Sequence, residues 1–500
     1  MPRYTLCSLA LLASAAIGAL LFSPLGEPAQ EHPVPALELI ACRLDHPRGL
    51  SSVAARCGML SVPENPDDPG GRRIDLAVAV VPAISRHAKP DPLFLLAGGP
   101  GQGAREAFVP LLGALAGIRR DRDLVLVDQR GTGLSNRLSC DFPEEAWADD
   151  DVSVETFRSM AEDCLATLPG DPRYYTTSIA VRDLDAVRES LGYARINLYG
   201  GSYGTRVAQH YARRFPVRAR TVVLDSVVSP QLALGASMAL DAEAALRGSF
   251  ARCAASPECA GRYPRLDEQF DTLRTGLHDA PVEVGLADPV TAQPSTVVFS
   301  AGHLALAVRM LSYSDRTASL LPLLVDEAVE RGNFVPLAAQ AEMVRGELED
   351  ALAYGMHNSV VCTEDLPFLD RAGLDLERLR ASYLGETMLE GLEAMCSVWP
   401  RGVVDPDLKE PLDSGVPALL LSGGLDPVTP PTYAAEAAAG FRDSLHVTFE
   451  GKGHIQLGLP CAGRLTHRFV EAGTAQGLDA SCAEDVEPAP YFLSFNGSAP

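Results

Sequence analysis

The sequence predicts an α/β fold: a mostly parallel sheet with helices on both faces, interrupted by a largely helical insertion. Three observations carry that prediction. Short uncharged apolar runs alternate with helical patterns through residues 57–230, the rhythm turns helical from 231 to about 400, and strand-like runs resume after Pro417. The first runs fall at 58–62, 74–81, 93–96, 124–127, 196–199 and 221–224, bounded by Gly, Pro or Asp. Continuous apolar runs of this length fit strands buried on both faces. Between them, 179–191 places Val181, Leu184, Val187 and Leu191 at helical spacing. Alternation of the two kinds implies parallel strands joined by crossover helices.

In the insertion, 301–312 and 317–331 are helical in pattern, and 282–299 is an extended patch. Glu347, Glu349 and Asp350 fit a solvated helix face. The strand pattern returns at 418–421 and 446–449. The expected organisation is a leader over 1–30, a first core part over 40–230, a helical insertion over 231–400 and a second core part over 401–500. No internal repeat is evident.

Composition narrows the function classes. Five hundred residues suffice for a large core, and 47% hydrophobic with 21% charged residues excludes wholesale disorder. Asp and Glu number 65 against 42 Lys and Arg, a formal charge of −23. Such a chain repels phosphate backbones, so nucleic acid is not an expected partner. Only the N-terminus is apolar enough to enter a bilayer, which excludes a multi-span protein. There Arg3 precedes an uncharged run over 6–22 and a segment containing Pro and Gly over 24–35. This is the pattern of a secretory signal. The alternative is an uncleaved anchor, because no small-x-small cleavage site stands just beyond Phe22. The expected location is therefore secreted or periplasmic, or membrane-anchored if the segment stays.

Cysteine usage agrees with export. Beyond Cys7 the chain holds Cys42, Cys57, Cys140, Cys164, Cys253, Cys259, Cys362, Cys396, Cys461 and Cys482. An even number in an exported chain favours disulfides, whose connectivity the sequence leaves open. Cys253 with Cys259 is the safest local pair, and pairing neighbours throughout would close five short loops. No CxxC spacing occurs, so neither a metal nor a cofactor is expected.

Chemistry concentrates in three places. Gly200-Gly201-Ser202-Tyr203-Gly204 fits G-x-S-x-G directly after a strand-like run and before a helical one. Small residues are needed there because the turn is strained and the serine must project from it. Ser202 is the expected nucleophile, with the Tyr203 backbone N–H facing any oxyanion. A serine nucleophile needs a base and an orienter, supplied in this arrangement in the order Ser, Asp, His. Asp426 follows the run 418–421, and His454 stands past 446–449 in Gly451-Lys452-Gly453-His454. His446 and His467 fall within a strand and a helix pattern and fit packing roles. Gly98 and Gly99, in Ala97-Gly98-Gly99-Pro100-Gly101, are expected to give a second oxyanion donor.

The ordered set AGGPG, Leu126-Val127-Asp128-Gln129-Arg130-Gly131, GGSYG, GGLDPVTPP and GKGH resembles the prolyl iminopeptidase group of α/β-hydrolases. Within it the similarity is to secreted tripeptidyl aminopeptidase-like proteins, from about Cys57 to His454. The resemblance implies an α/β-hydrolase fold with a helical cap, and a serine exopeptidase that takes peptides as substrates. Prolyl iminopeptidases usually carry His where Ala97 stands, so their narrow proline preference is not carried over. Asp128 and Arg130 are expected to pair with each other and brace their loop. The resemblance also sets Cys362-Thr363-Glu364-Asp365 near the substrate's amino end. Glu364 or Asp365 is then a candidate partner for an α-ammonium, the alternative being solvated acids beside a disulfide.

Three functions stay open at this point: an exported aminopeptidase acting through an acyl-enzyme, a carboxylesterase or lipase with the same machinery, and a non-catalytic binding protein. A peptide amino end asks for a buried acid in the cap, whereas an ester chain asks for an apolar groove.

Overall fold

The computed structural model describes residues 36–140, 153–235, 237–287 and 292–498, with the backbone alone over 344–350. The leader expected over 1–30 lies outside these residues, as do the side chains of Glu347, Glu349 and Asp350. In chain order the strands are β1 Ile40–Asp45, β2 Ser52–Pro63, β3 Arg73–Val81, β4 Leu93–Leu96, β5 Leu124–Val127, β6 Ile196–Gly201, β7 Ala219–Asp225, β8 Val282–Ala287, β9 Pro294–Phe299, β10 Ala418–Gly423 and β11 Ser444–Phe449. One sheet runs in the order β1-β2-β3-β5-β4-β6-β7-β10-β11, and β8 pairs with β9 alone. From β5 to β11 every neighbour is parallel; β1, β2 and β3 add an antiparallel edge.

Burial explains why the central strands are so uniformly apolar. β4, β5, β6 and β10 are buried along their whole length because helices cover both faces. Leu93, Leu95, Leu124, Leu126, Leu419 and Leu421 point alternately onto one face and share a core with helix Pro460–Ala472. Helices Thr177–Ser190 and Tyr203–Arg214 pack together, the second lying against β6 and β7.

Between β7 and β10 the chain builds a second core, with Phe250, Phe270, Phe299, Leu304 and Leu321 at its centre. The extended patch is the β8–β9 hairpin. Helix Ala301–Leu311 starts on a capping box formed by Ser300 and His303. The single helix expected over 317–331 is divided instead: a short turn, Asp315–Ala318, precedes helix Leu321–Arg331. Pro322 stands in the first turn of the second helix, where its fixed φ and missing N–H favour a fresh start.

Other expectations are corrected. β1 precedes the first expected run: it is a largely exposed edge strand that turns Cys42 and Leu44 inward and is tied to β2 by Cys42–Cys57. The last residues do not belong wholly to the sheet core. Tyr491 is buried in the helical core, its ring under Arg252 and its hydroxyl donating to the Ser249 carbonyl. Asp128 and Arg130 do not pair with each other. Arg130 grips Asp183 through Nε and Nη2 at 2.6 and 2.8 Å, while Asp128 accepts from Arg105 Nε at 3.1 Å. Each has a better-placed partner across the fold than its near neighbour.

The other disulfides are Cys140–Cys164, Cys253–Cys259, Cys362–Cys396 and Cys461–Cys482, so every described cysteine pairs with its neighbour in sequence. Among the described residues no helix is long and apolar enough to cross a membrane, and no cluster of His, Cys, Asp or Glu has metal-site geometry.

Candidate active site

β6 ends at Gly201 and helix Tyr203–Arg214 begins two residues later, so Ser202 occupies the turn alone. Its φ of 54° and ψ of −125° are far from ordinary conformations for a residue bearing a side chain. Strain of this kind, of order 1–3 kcal/mol, persists only where the surroundings over-determine it. Here the Ser202 N–H is held by the Asp225 carbonyl at 2.9 Å. A methyl at Gly204 would collide with the Leu96 carbonyl of the neighbouring strand, so only glycine fits that position. Tyr203 opens the helix, and its N–H is one of the first-turn donors without an intrahelical partner.

Asp426 follows β10, is buried, and is held from three sides. Val428 N–H, Thr429 N–H and the Thr429 hydroxyl each donate to it at 2.9 Å. His454 Nδ1–H donates to the same carboxylate, 2.8 Å from Oδ2 and 3.0 Å from Oδ1. Burial works to raise the Asp426 carboxyl, but the imidazole and these hydrogen bonds outweigh it and hold it below its ordinary value. The carboxylate therefore stays ionised and fixes the tautomer that leaves Nε2 free as a base.

The end of β7 brackets both sides of the site. Asp225 holds Ser202 through its carbonyl, and its carboxylate accepts the Gln456 and Leu457 N–H groups at 2.9 Å. Ser226 Oγ accepts from Ile455 N–H at 2.7 Å. On the other side of His454, its N–H donates to the Tyr313 carbonyl at 2.7 Å, and the two rings meet edge-on at 5.2 Å. Gly98 completes the group: a Cβ there would stand 2.9 Å from Ser202 Cβ. Ser202, Tyr203, His454, Gly98 and Gly99 all line one cavity of about 1360 Å³ between the sheet edge and the helical segment.

Glu364 and Asp365 are placed elsewhere, and neither expectation for them holds. Both are fully buried, and neither lines the cavity. Glu364 accepts from Thr177 N–H and from the Thr177 hydroxyl, each at 2.6 Å. Asp365 is gripped by Arg206 at 2.7 and 3.0 Å and by Lys409 at 2.9 Å, and accepts the Leu234 N–H at 3.0 Å. Burial works to raise Asp365, and the Arg206 and Lys409 charges more than cancel it; for Glu364 burial prevails and raises the carboxyl. Thr177 also bonds the Tyr203 hydroxyl at 2.7 Å. The acids thus brace the helix behind Ser202 and do not reach the cavity.

The cavity wall holds residues with no sequence signal. Phe157, Met160, Met310, Leu352, Met388 and Met395 make much of it apolar. Arg274, Arg309 and Tyr383 add polar groups, and no Asp or Glu among the described residues lines it. His446, by contrast, bonds Ser422 at 2.9 Å away from the site, as its strand position implied.

Comparison with known proteins agrees with this architecture. Residues 91–248 match the alpha/beta hydrolase fold family, and residues 381–482 match the family described as TAP-like protein. Serine protease Hip1 of Mycobacterium tuberculosis is 26% identical over 503 residues, covering 92% of each chain. A tripeptidyl aminopeptidase of Streptomyces lividans is 27% identical over 471 residues, covering 87% of this chain and 85% of its own. Carboxylesterase B of Mycobacterium tuberculosis is 26% identical, covering 86% of each. The nucleophile turn, the sheet order and both family matches lead to one assignment: the chain has the α/β-hydrolase fold, and its sequence is similar to tripeptidyl aminopeptidase-like proteins.

Proposed function

We propose that the protein is an exported serine exopeptidase that releases residues or short peptides from peptide amino ends through an acyl-enzyme on Ser202. The observation that carries the reading is Ser202 strained at a strand-to-helix turn, sharing a cavity with His454, which Asp426 grips through Nδ1. Ser202 Oγ attacks the scissile carbonyl and passes its proton to His454 Nε2. Asp426 keeps the imidazole oriented and stabilises its charge. The N–H of Tyr203 and that of Gly98 or Gly99 receive the oxyanion, a contribution of roughly 3–4 kcal/mol per donor. The proton then goes to the leaving amine, and water hydrolyses the ester by the reverse sequence. Five disulfides support export, since such bonds persist in oxidising compartments.

The carboxylesterase reading is favoured by one specific observation, the lack of any described carboxylate on the cavity wall. One measurement tests the nucleophile that both readings share, and a second separates them. A fluorophosphonate should label the wild type and fail to label Ser202→Ala, and a labelled Ser202→Ala chain would remove Ser202 as nucleophile. Acetylating the amino end of a peptide substrate should then abolish turnover. Equal hydrolysis of acetylated and free peptides would favour the esterase.

A further inference from the structure

Arg309 is 8% exposed and lies on the cavity wall, and its Nη1 is buried with no hydrogen-bond partner. A guanidinium is charged at every physiological pH, so leaving one buried and unpaired is costly unless something else supplies the counter-charge. Among the described residues no carboxylate forms an ion pair with it. Asp241, the carboxylate whose charge it feels, is bonded to the Tyr433 hydroxyl at 2.6 Å and makes no ion pair with Arg309. Glu243, near Tyr383, is taken by Arg247 at 2.7 Å and by the Tyr383 N–H at 3.0 Å.

Two further donors share this wall. Tyr383 is 6% exposed and its hydroxyl is also buried without a partner, within reach of the Arg309 charge. Arg274 spends Nη1 on the Ser382 carbonyl at 2.9 Å and leaves Nε unpartnered. Three side chains of the cavity lining thus hold N–H and O–H groups that no protein atom satisfies, just beneath a wall that also carries many Met and Leu. This wall is close to the chemistry. Arg309 stands four residues before Tyr313, which contacts His454 through both its carbonyl and its ring.

We propose that Arg309, with Tyr383 and Arg274, forms a carboxylate-binding subsite of the substrate cavity, so that favoured substrates carry a free carboxylate from an acidic side chain or a peptide C-terminus. The guanidinium fork matches a carboxylate in two parallel bonds, and a phenolic hydroxyl adds a third donor to the same oxygens. The subsite rests on the reading of Ser202 as nucleophile, whose product it would select.

The test compares kcat/KM within two substrate pairs. One pair is chromogenic peptide amides with Glu or Gln beside the scissile bond; the other is short peptides with a free or an amidated C-terminus. The wild type should favour the carboxylate member of one pair by about 10- to 100-fold, mostly through KM, and the responding pair names the source. Arg309→Gln should bring that ratio to within about threefold, Tyr383→Phe should lower it less, and Arg309→Lys should restore part of it. Melting temperature separates this role from a structural one: Arg309→Met should not lower it, because an unpaired buried charge has been removed. Equal turnover in both pairs by the wild type, or a preference surviving Arg309→Gln, would overturn the subsite and leave the hydrolase intact. If no substrate is turned over, glutarate provides the readout. Stabilisation of the wild type but not of Arg309→Gln would keep the subsite and discard the proposed reaction, and stabilisation of neither would discard both.

Discussion

Asp426 and Asp225 are two buried carboxylates a short distance apart, and their environments drive them in opposite directions. Asp426 is held low by its imidazole partner, whereas burial pushes Asp225 up to about 6 despite the backbone N–H groups it accepts. For Asp426 the stabilisation is present above its unfolded value of 3.8 and is lost in acid. For Asp225 the sign reverses: the protonated form favours the fold, and that contribution fades as pH rises from 3.8 to about 6. Asp225→Asn, which cannot ionise, should therefore be penalised more at pH 4.5 than at pH 7, the gap being about 2 kcal/mol. Melting curves of both proteins at the two pH values measure it, and a constant difference would refute the ionisation argument. Asp426→Asn should leave the fold standing and lower kcat on the order of 10⁴-fold, because its amide cannot hold the productive tautomer. Ser202, Asp426 and His454 were legible because each stands in a short glycine-rich turn after a strand, a pattern that the chemistry itself demands. Arg309 and Tyr383 were not, since they come to line one cavity only when segments far apart in sequence pack together. Glu364 misled for the same reason: nothing near it in sequence names Thr177 as its partner. Glu364→Gln should cost stability by about 1–3 kcal/mol, turning an amide N–H toward a donor, and its loss should appear in denaturant midpoint before KM.

At the scale of elements, the buried parallel strands announced themselves and the exposed ones did not. β4 and β5 are uncharged four-residue runs because both faces are covered. β1 lacks such a run because its edge position leaves most of its side chains in water. The divided helix around Pro322 shows how one imino acid resets a pattern that periodicity alone carries through. The strand-turn-helix at Ser202 is the element on which function depends most, and its tolerance is narrow. Gly204→Ala would press a methyl against the Leu96 carbonyl, so the helix must lift from β4 and carry Tyr203 N–H with it. The expected outcome is a loss of kcat much larger than the loss of melting temperature, read by steady-state kinetics beside a thermal scan. The cysteines bind elements locally: Cys362–Cys396 links the segment holding Glu364 to helix Thr387–Val398. Native mass should fall about ten daltons below the reduced form over the five described bridges, and opening a bridge should cost roughly 2–5 kcal/mol.

The whole molecule is held around its cavity by a device that neither composition nor motif discloses, the final stretch of chain. After helix Pro460–Ala472 the chain stays with the sheet core through Ala475, Ala483 and Val486 and then runs onto the helical segment, touching both sides of the site on the way. Lys452, two residues before His454, donates to the Glu487 carbonyl at 2.7 Å and pairs with Asp315 at 2.8 Å. Asp315 also accepts the Ala489 N–H at 2.7 Å, so one carboxylate of the helical segment joins the histidine loop to the tail. Further on, Arg252 lies 4.2 Å from the Tyr491 ring centre, Tyr263 donates to the Phe492 carbonyl at 2.9 Å, and the Phe492 N–H donates to Ser319 at 3.1 Å. Tyr491 is 5% exposed, so Tyr491→Ala should cost about 3–5 kcal/mol, as other large aromatic truncations do. Ending the chain after Glu484 should go further, because it removes the hydrogen-bonded strap between histidine loop and cover as well as the buried ring. The cover would then open more often, and Lys452 would keep Asp315 but lose the Glu487 half of its anchor. Activity on a covered peptide substrate should fall more steeply than activity on a small p-nitrophenyl ester, which needs Ser202 and His454 but little of the cavity. Hydrogen exchange gives the independent readout: amides of helix Ala301–Leu311 and of 450–455 should lose protection together in the truncated chain. Loss in one segment with full protection in the other would show that the tail merely decorates the cover and does not couple it to the site.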